Sequence, residues 1–156
     1  MKRVLGTLYI LGLTMVMFAL TMLIPLIVAY VGGDAAREAF LNGFLISVGI
    51  GGTLAAVTRR SRCELRARDG FVLVSAVWAG LPLLAAIPLM LYFHGAGLPL
   101  SFTGAYFEAM SGLTTTGATV LTNLDALPAS INLWRATLIW ICLLYTSPSP
   151  RDQRGS

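Results

Sequence analysis

The residues best suited to chemistry lie in one short run, EAMSGLTTTGATVL, which covers Glu108–Leu121. The run places three consecutive threonines and two glycines between segments that are otherwise strongly apolar. Glycine permits backbone conformations that other residues avoid, and main-chain carbonyls of an extended segment can replace the water around a dehydrated cation. The run therefore predicts cation coordination by backbone oxygens, within an extended segment over Thr114–Thr119.

We expect the charged and amide side chains near this run mainly to stabilise the loop and its surroundings rather than to bind the ion. Glu108 could bind a cation, but we expect it to act as an acceptor that holds the loop from behind. Asn123 and Asp125 are expected at the outer mouth, either solvated or capping, with at most a weak attraction for cations. Arg135 could pair with a carboxylate such as Asp125 or snorkel to the interface, and we favour snorkelling.

Enzymatic chemistry is not supported by the side chains. Ser111-Gly112 is weakly similar to an intramembrane serine-protease motif, which needs a glycine where Ala109 stands and a histidine on a later helix. The single histidine, His94, precedes the serine and is expected at a helix end. We expect neither enzymatic activity nor a cofactor.

The elements that must position these residues are membrane helices. Of 156 residues, 56% are hydrophobic and 12% are charged, so charged side chains cannot cover the surface as they do in a soluble domain. We expect the lipid bilayer to cover it. The net charge of +4 is concentrated in one basic loop, which indicates membrane topology rather than nucleic-acid binding. Its arginines are Arg59, Arg60, Arg62, Arg66 and Arg68.

Four apolar segments can be compared with the roughly 20 helical residues that cross a bilayer. Val4–Val31, Ala39–Val57 and Gly70–Phe93 are long enough, whereas the fourth, from Ile131 to about Tyr145, stops short. Prolines should kink the first and third segments where neighbours can tolerate it. The second segment carries glycines that predict a smooth face for close helix packing. These are Gly43, Gly49, Gly51 and Gly52.

Topology makes Thr114–Thr119 part of a re-entrant segment. The basic loop 59–69 and the start Lys2-Arg3 predict a cytoplasmic N-terminus, so the chain is outside after Phe93. Phe102–Leu113, capped by Ser101 or Thr103, forms about three helical turns and is too short to span. Non-helical backbone at membrane depth must be buried in protein or line a watery path. The inward carboxyl end of such a pore helix favours a cation over an anion.

These elements define an all-α integral membrane protein with two accessory transmembrane helices and one incomplete membrane–pore–membrane repeat. The accessory helices occupy 1–58 and the cytoplasmic basic loop occupies 59–69. The repeat covers 70–141, with its first helix over 70–93, a re-entrant pore helix over 102–113, an extended filter strand over 114–119 and a second helix from 131.

The sequence FEAMSGLTTTGATVL, followed by LDALP and LWRATLIW, resembles the first pore loop of the TrkH/TrkG/KtrB superfamily of potassium-translocating subunits. RARDGF at Arg66–Phe71 and the two leading spans are similar to the TrkH branch. The resemblance covers about Met1 to Trp140. It implies an N-terminal part of a potassium-uptake subunit, with K⁺ as the transported ion. Gly117 matches the filter glycine, and carbonyls of Thr115, Thr116, Gly117 and Ala118 are implied ligands, flanked by Thr114 and Thr119.

The resemblance also implies surroundings for the complete protein. It is expected to contain four pore repeats around a pseudo-fourfold axis, so this chain needs the remaining three. A homodimer is expected, together with a cytosolic nucleotide-binding ring similar to TrkA. The expected location is the bacterial cytoplasmic (inner) membrane, crossed several times. On its own the chain is not expected to conduct, because four loops must converge on the ion.

The end of the chain departs from the family pattern. Ile139 stands where the family has glutamine, and Cys142-Leu143 stands where glycines belong. The final run LLYTSPSPRDQRGS, residues 143–156, resembles translated sequencing-adapter read-through. We therefore expect the native sequence to stop near Ile141 or Cys142 and the tail 142–156 to be non-native. An alternative hypothesis is a small membrane protein whose re-entrant loop serves packing or assembly without transport.

Overall fold

Helices make up the regular structure of this protein in the computed structural model, which describes residues 2–59, 67–98 and 100–146. The described helices are α1 Lys2–Leu20, α2 Leu23–Gly32, α3 Arg37–Thr58, α4 Ala67–Gly95, α5 Phe102–Leu113 and α6 Ala129–Thr146, with a 3₁₀ turn at Leu124–Ala126. The predicted all-α class is confirmed for these residues. Most of the basic loop 59–69 and most of the tail 142–156 lie outside the described residues.

The first apolar segment is divided by Pro25. Proline has no N–H to donate to the carbonyl four residues earlier, which belongs to Thr21. The backbone tightens there, with N–H groups of Thr21 and Met22 donating to Phe18 and Ala19 at 3.0 Å each. One predicted span therefore forms α1 and α2, which together remain one apolar stretch of 29 residues, Val4–Gly32.

Three stretches are long and apolar enough to cross a membrane, namely Val4–Gly32, Arg37–Thr58 and Asp69–Gly95. They correspond to the three full spans that the sequence predicts. Only 22–39% of an apolar 18-residue window in each stretch is buried inside the chain. The rest must be covered by lipid or by further protein, because exposed apolar surface of this extent is unfavourable in water.

Pro88 of α4 is accommodated by neighbouring helices. Pro88 cannot donate to Leu84, and such a proline also loosens the adjacent turn of the helix. The carbonyl of Ala85 in that turn accepts a hydrogen bond from Trp134 Nε1 of α6 at 3.1 Å. A Cβ on Gly43 of α3 would lie 3.3 Å from the Pro88 ring, so a small residue makes room for that ring.

Glycines bring α1 and α3 close together at one crossing. A Cβ on Gly12 would lie 2.7 Å from the Ala55 nitrogen, and one on Gly51 would lie 3.0 Å from the Gly12 carbonyl oxygen. The close-packing prediction is thus correct for Gly51. It is wrong for Gly49 and Gly52 within the described residues, because their added Cβ atoms would meet nothing within 4 Å.

The main apolar core joins helices α1 to α3 to the later helices. Met22, Phe40, Leu89 and Trp134 are fully buried, and Phe18 is nearly so. The Trp134 ring lies 5.9 Å from that of Phe18 and 6.2 Å from that of Phe40. Helices α1 to α4 and α6 therefore form one packed unit, and α5 packs against α4 and α6 of this unit.

Helix α5 begins at Phe102 because Ser101 caps it. The Ser101 hydroxyl accepts the N–H of Gly104 at 3.0 Å, which decides between the two predicted caps. Twelve residues give about 18 Å of helix, against about 30 Å of hydrocarbon core. The helix packs on α4 and α6, and its buried side carries Ala105, Ala109 and Leu113.

Candidate functional site

The chain reverses direction immediately after α5. N–H groups of Thr114 and Thr116 still donate back to Met110 and Ser111, at 2.9 and 3.0 Å. Thr115 then adopts a φ of +54° and Gly117 a φ of +74°. Glycine accepts such a conformation at no cost, whereas threonine is strained in it. Glycine therefore favours the reversal at Gly117 but not at Thr115. No regular strand forms over Thr114–Thr119.

The threonine hydroxyls of the reversal bond locally. Thr114 Oγ1 donates to the Met110 carbonyl at 2.8 Å and lies 2.8 Å from Thr116 Oγ1, while Thr115 Oγ1 donates to the Thr114 carbonyl at 2.7 Å. Within the described residues, no hydrogen bond ends on the carbonyl oxygen of Thr115, Thr116 or Gly117. All three residues are exposed. Three of the four implied ligands thus keep their carbonyls unoccupied.

The fourth implied ligand, Ala118, is fixed from behind. Its carbonyl accepts the Ser111 hydroxyl of α5 at 2.6 Å. A carbonyl oxygen has two lone pairs, so this bond engages one of them and orients the peptide plane. Ser111 is buried and acts here as a hydrogen-bond donor to the loop. Its role is that of a structural brace, which the sequence does not reveal.

Glu108 is the central support of the loop. It is 5% exposed, and its carboxylate accepts hydrogen bonds from Thr119 Oγ1 at 2.9 Å and from the Val120 N–H at 3.1 Å. Arg135 Nε donates to it at 2.7 Å. A buried carboxylate with three partners is satisfied by the protein itself. These contacts agree with the expectation that Glu108 is a structural acceptor rather than a cation ligand.

The expectation for Arg135 is wrong. It does not snorkel, and its partner is Glu108 rather than Asp125. Helical spacing puts Arg135 on the face of α6 that meets α5, where Gly112 permits a close approach. A Cβ on Gly112 would lie 3.0 Å from Leu138 Cβ. This contact brings the guanidinium within reach of a carboxylate 27 positions earlier in the chain.

A small cavity of about 70 Å³ with a mixed, mainly apolar lining lies behind the loop. That volume is enough for about two water molecules by the share of liquid volume each occupies. It is lined by Glu108, Ser111, Gly112, Gly117, Ala118, Arg135 and Ile139. A larger apolar cavity of about 360 Å³ lies between α1, α4, α5 and α6, away from the loop carbonyls.

A tight turn, which the sequence analysis places at an outer mouth, follows the loop. Asn123 has a φ of +57° and makes no side-chain cap, so the capping option does not hold for it. Asp125 lies exposed in the 3₁₀ turn. Asn132 of α6 donates its amide to the Leu124 carbonyl at 3.0 Å and fixes the turn against the helix. Asn132 is a support that the sequence reasoning missed.

Asp34 is a second missed residue. It lies between α2 and α3, and its carboxylate accepts the N–H and hydroxyl of Ser130 at 3.1 and 2.8 Å. One sequence signal does point to such a partner. Helix α6 is preceded by Pro128, whose side chain cannot cap it, so its first N–H groups need an acceptor from elsewhere.

The three apolar stretches, the short helix α5 and the loop with unoccupied carbonyls define an all-helical membrane protein with one compact polar loop. The sequence profile of the TrkH family, described as cation transport protein, matches residues 36–146. This is more than half of the chain. The chain belongs to the TrkH family of cation transport proteins.

Individual relatives agree with this assignment. The chain is 44% identical over 132 residues to the Trk system potassium uptake protein TrkH of Halomonas elongata, covering 85% of this chain and 27% of the relative. It is 40% identical over 131 residues to TrkH of Escherichia coli K12, covering 84% and 26%. The TrkG protein of Escherichia coli K12 is 35% identical over 130 residues, covering 83% and 26%.

A solved structure shares the fold. The crystal structure of the potassium transporter TrkH from Vibrio parahaemolyticus matches with a TM-score of 0.79 at 35% identity. The match covers 90% of this chain and 29% of that one. The chain thus spans about a quarter of the length of the relatives that it matches.

Proposed function

We propose that this chain forms the first quarter of a TrkH-like potassium-uptake subunit and that its loop supplies one quarter of the selectivity filter. Carbonyl oxygens of Thr115, Thr116, Gly117 and Ala118 replace part of the hydration shell of K⁺. Thr114 and Thr119 flank them. The observation that carries this proposal is the free front of the loop, where carbonyls of Thr115, Thr116 and Gly117 accept no hydrogen bond from the described residues.

The electrostatics of the loop support a cation. The carboxyl end of α5 meets the loop, and a helix carboxyl end carries partial negative charge. The neighbouring carboxylate, Glu108, is neutralised by Arg135 at 2.7 Å. The field at the loop therefore comes from carbonyl dipoles, which suit a weakly hydrated monovalent cation.

The surroundings of the whole protein are part of the same proposal. Three further pore loops from the rest of a longer chain complete the filter, so the described segment does not conduct alone. The N-terminus lies in the cytoplasm and the protein spans a bacterial inner membrane. A homodimer and a cytosolic nucleotide-binding ring complete the assembly. The family assignment supports these features.

Gly117 offers the most direct test. The vehicle is a chimaera in which residues 1–141 of this chain replace the corresponding first quarter of Escherichia coli TrkH. A side chain at Gly117 meets nothing within 4 Å, but its φ of +74° disfavours any residue with a Cβ. We expect Gly117→Ser to lower potassium-over-sodium discrimination by about tenfold, as a strained filter carbonyl turns away.

The measurement is competitive uptake of K⁺ and Na⁺ by cells that lack their own potassium-uptake systems, at equal amounts of protein in the membrane. The matched control is Gly49→Ser, at an exposed helical glycine where an added Cβ meets nothing within 4 Å. An unchanged ratio in Gly117→Ser would remove this residue from the filter and would favour a packing role for the loop.

A further inference from the structure

We propose that Asp34 is a positioning residue through which the accessory helices set the geometry of the filter loop. This inference rests on the proposed function, because its effect is read from ion discrimination. It assigns to the accessory helices a role that neither their length nor their apolar character indicates. The connection runs from Asp34 through α6 to the support behind the loop.

The first link is a helix cap supplied from a distant part of the chain. Asp34 Oδ2 accepts both donors of Ser130, at 3.1 and 2.8 Å. Ser130 is fully buried in the first turn of α6. A carboxylate at a helix N-terminus satisfies N–H groups and interacts favourably with the helix dipole. The outer end of α6 is therefore attached to the accessory pair.

Asp34 is itself held in place. Its N–H donates to the Ala29 carbonyl at 2.9 Å, and its Oδ1 accepts the Ala36 N–H at 3.0 Å. Gly33, with a φ of +63°, ends α2 and turns the chain toward α6. With both carboxylate oxygens engaged, the position of the cap follows the position of α2 and α3.

A second contact fixes α6 one turn further on. The Trp134 ring is fully buried and lies against Phe18 of α1 and Phe40 of α3. Aromatic pairs at these distances prefer particular relative orientations. The cap and the aromatic contact together restrict both the height and the rotation of α6 relative to the accessory helices.

The last link leads from α6 to the loop. Arg135 directly follows Trp134 and is about 7.5 Å along the helix axis from Ser130. It holds Glu108 at 2.7 Å, and Glu108 holds the Thr119 hydroxyl and the Val120 N–H. These charge-assisted bonds are short and directional, so a small shift of α6 changes the support behind the filter.

The test uses the chimaera with Asp34→Ala. We expect its potassium-over-sodium discrimination to fall by roughly three- to tenfold, which lies within the range by which mutations in packed networks change coupling. Asp34→Asn keeps one acceptor oxygen in place and should recover part of the loss. The matched control is Glu38→Ala, which removes an exposed acidic side chain near the outer start of α3 and should leave the ratio unchanged.

The ratio separates positioning from a merely structural role. If Asp34→Ala lowers only the maximal uptake rate or the amount of protein, with the ratio unchanged, the proposal is overturned. If the Asp34→Ala protein does not accumulate in the membrane, the Ser130→Ala variant tests the proposal instead. This variant removes the hydroxyl that donates to Asp34 and keeps the hydrogen bond from the Ser130 N–H. A ratio equal to that of the unsubstituted chimaera would then overturn the proposal.

Failure of the proposed function gives a different pattern. It would appear as an unsubstituted chimaera without potassium preference, or as a Gly117→Ser variant with normal discrimination. An intact Gly117 effect together with an absent Asp34 effect would count against the accessory-helix role alone.

Discussion

The loop at Thr114–Thr119 and the crossing of α1 with α3 are held by opposite means. Behind the loop, Glu108 and Ser111 make directional hydrogen bonds of 2.6–3.1 Å to its backbone and side chains. At the crossing, glycines let two backbones approach until an added Cβ would lie 2.7 Å from a backbone nitrogen. One contact uses polar groups and the other uses the absence of side chains.

The difference follows from what each backbone needs. A helix satisfies its own N–H and carbonyl groups, so two helices in a membrane gain most from close packing of small residues. The loop has no such internal ladder, and its polar groups must find partners in the protein or an ion. Back and front of the loop are therefore distinct, with protein donors and acceptors behind and open carbonyls in front.

The largest expected effect comes from removing the acceptor behind the loop. Glu108→Ala leaves the Arg135 guanidinium, the Thr119 hydroxyl and the Val120 N–H without their partner. Breaking a fully buried ion pair by removing one member costs on the order of 3–5 kcal/mol, and this is an upper bound here because the Arg135 side chain is 23% exposed. We expect the chimaera to lose most of its potassium uptake and to unfold in detergent at a clearly lower temperature. Unfolding is measured by size-exclusion chromatography of samples heated to increasing temperatures.

A double substitution sharpens this result. Glu108→Ala with Arg135→Ala removes both charges and should be less destabilised than the sum of the two single variants. Glu38→Ala serves as the control for loss of an exposed carboxylate. Equal melting temperatures for Glu108→Ala and Glu38→Ala would contradict the supporting role of Glu108.

A smaller effect is expected at the glycine crossing. Gly12→Val pushes a branched side chain against the Ala55 nitrogen and the Gly51 carbonyl, which are backbone atoms and cannot rotate away. Overpacking of this kind costs about 1–3 kcal/mol. We expect a lower melting temperature with potassium-over-sodium discrimination nearly unchanged. Gly49→Val, at an open position of α3, is the control, and equal destabilisation by both variants would refute the close contact.

The smallest effect is expected for the brace on Ala118. Ser111→Ala removes one hydrogen bond of 2.6 Å, worth about 1 kcal/mol. We expect a modest loss of stability together with an about fivefold loss of discrimination, since 1 kcal/mol corresponds to nearly that factor. Thr53→Val removes an exposed hydroxyl bonded within its own helix and should change neither quantity. A stability loss in Ser111→Ala without any change in discrimination would separate Ala118 from ion binding.

Much of the fold could be predicted because its signals are local. Apolar length predicts the three spans, and Ser101 with the apolar pattern predicts a helix over Phe102–Leu113. The break after α1 was less clear, since Pro25 indicates a kink but does not say that the helix ends at Leu20. The candidate ligands remain predictions, because the proposed filter requires three further pore loops.

The partners of the loop could not be predicted in the same way. Arg135 looked like a snorkelling side chain because nothing in its neighbourhood in the sequence identifies a carboxylate. Its partner Glu108 lies 27 positions away, and Asp34 lies 96 positions from Ser130. Such pairs depend on how helices pack, and the candidate acids Asp125 and Glu108 cannot be ranked before that packing is known.

By itself the sequence determined that this is an apolar, helical chain with one polar run rich in threonine and glycine. Composition and the pattern of apolar residues are local properties of the chain and can be read without knowing its packing. The tertiary structure decided which side of that run is bonded and which is open. It did so by bringing α6 against α5 and helices α1 to α3 against α6, because hydrogen bonds need partners within about 3 Å. The residues of the loop are adjacent in the sequence, whereas the residues that support it are far apart in the sequence and meet only in the folded chain.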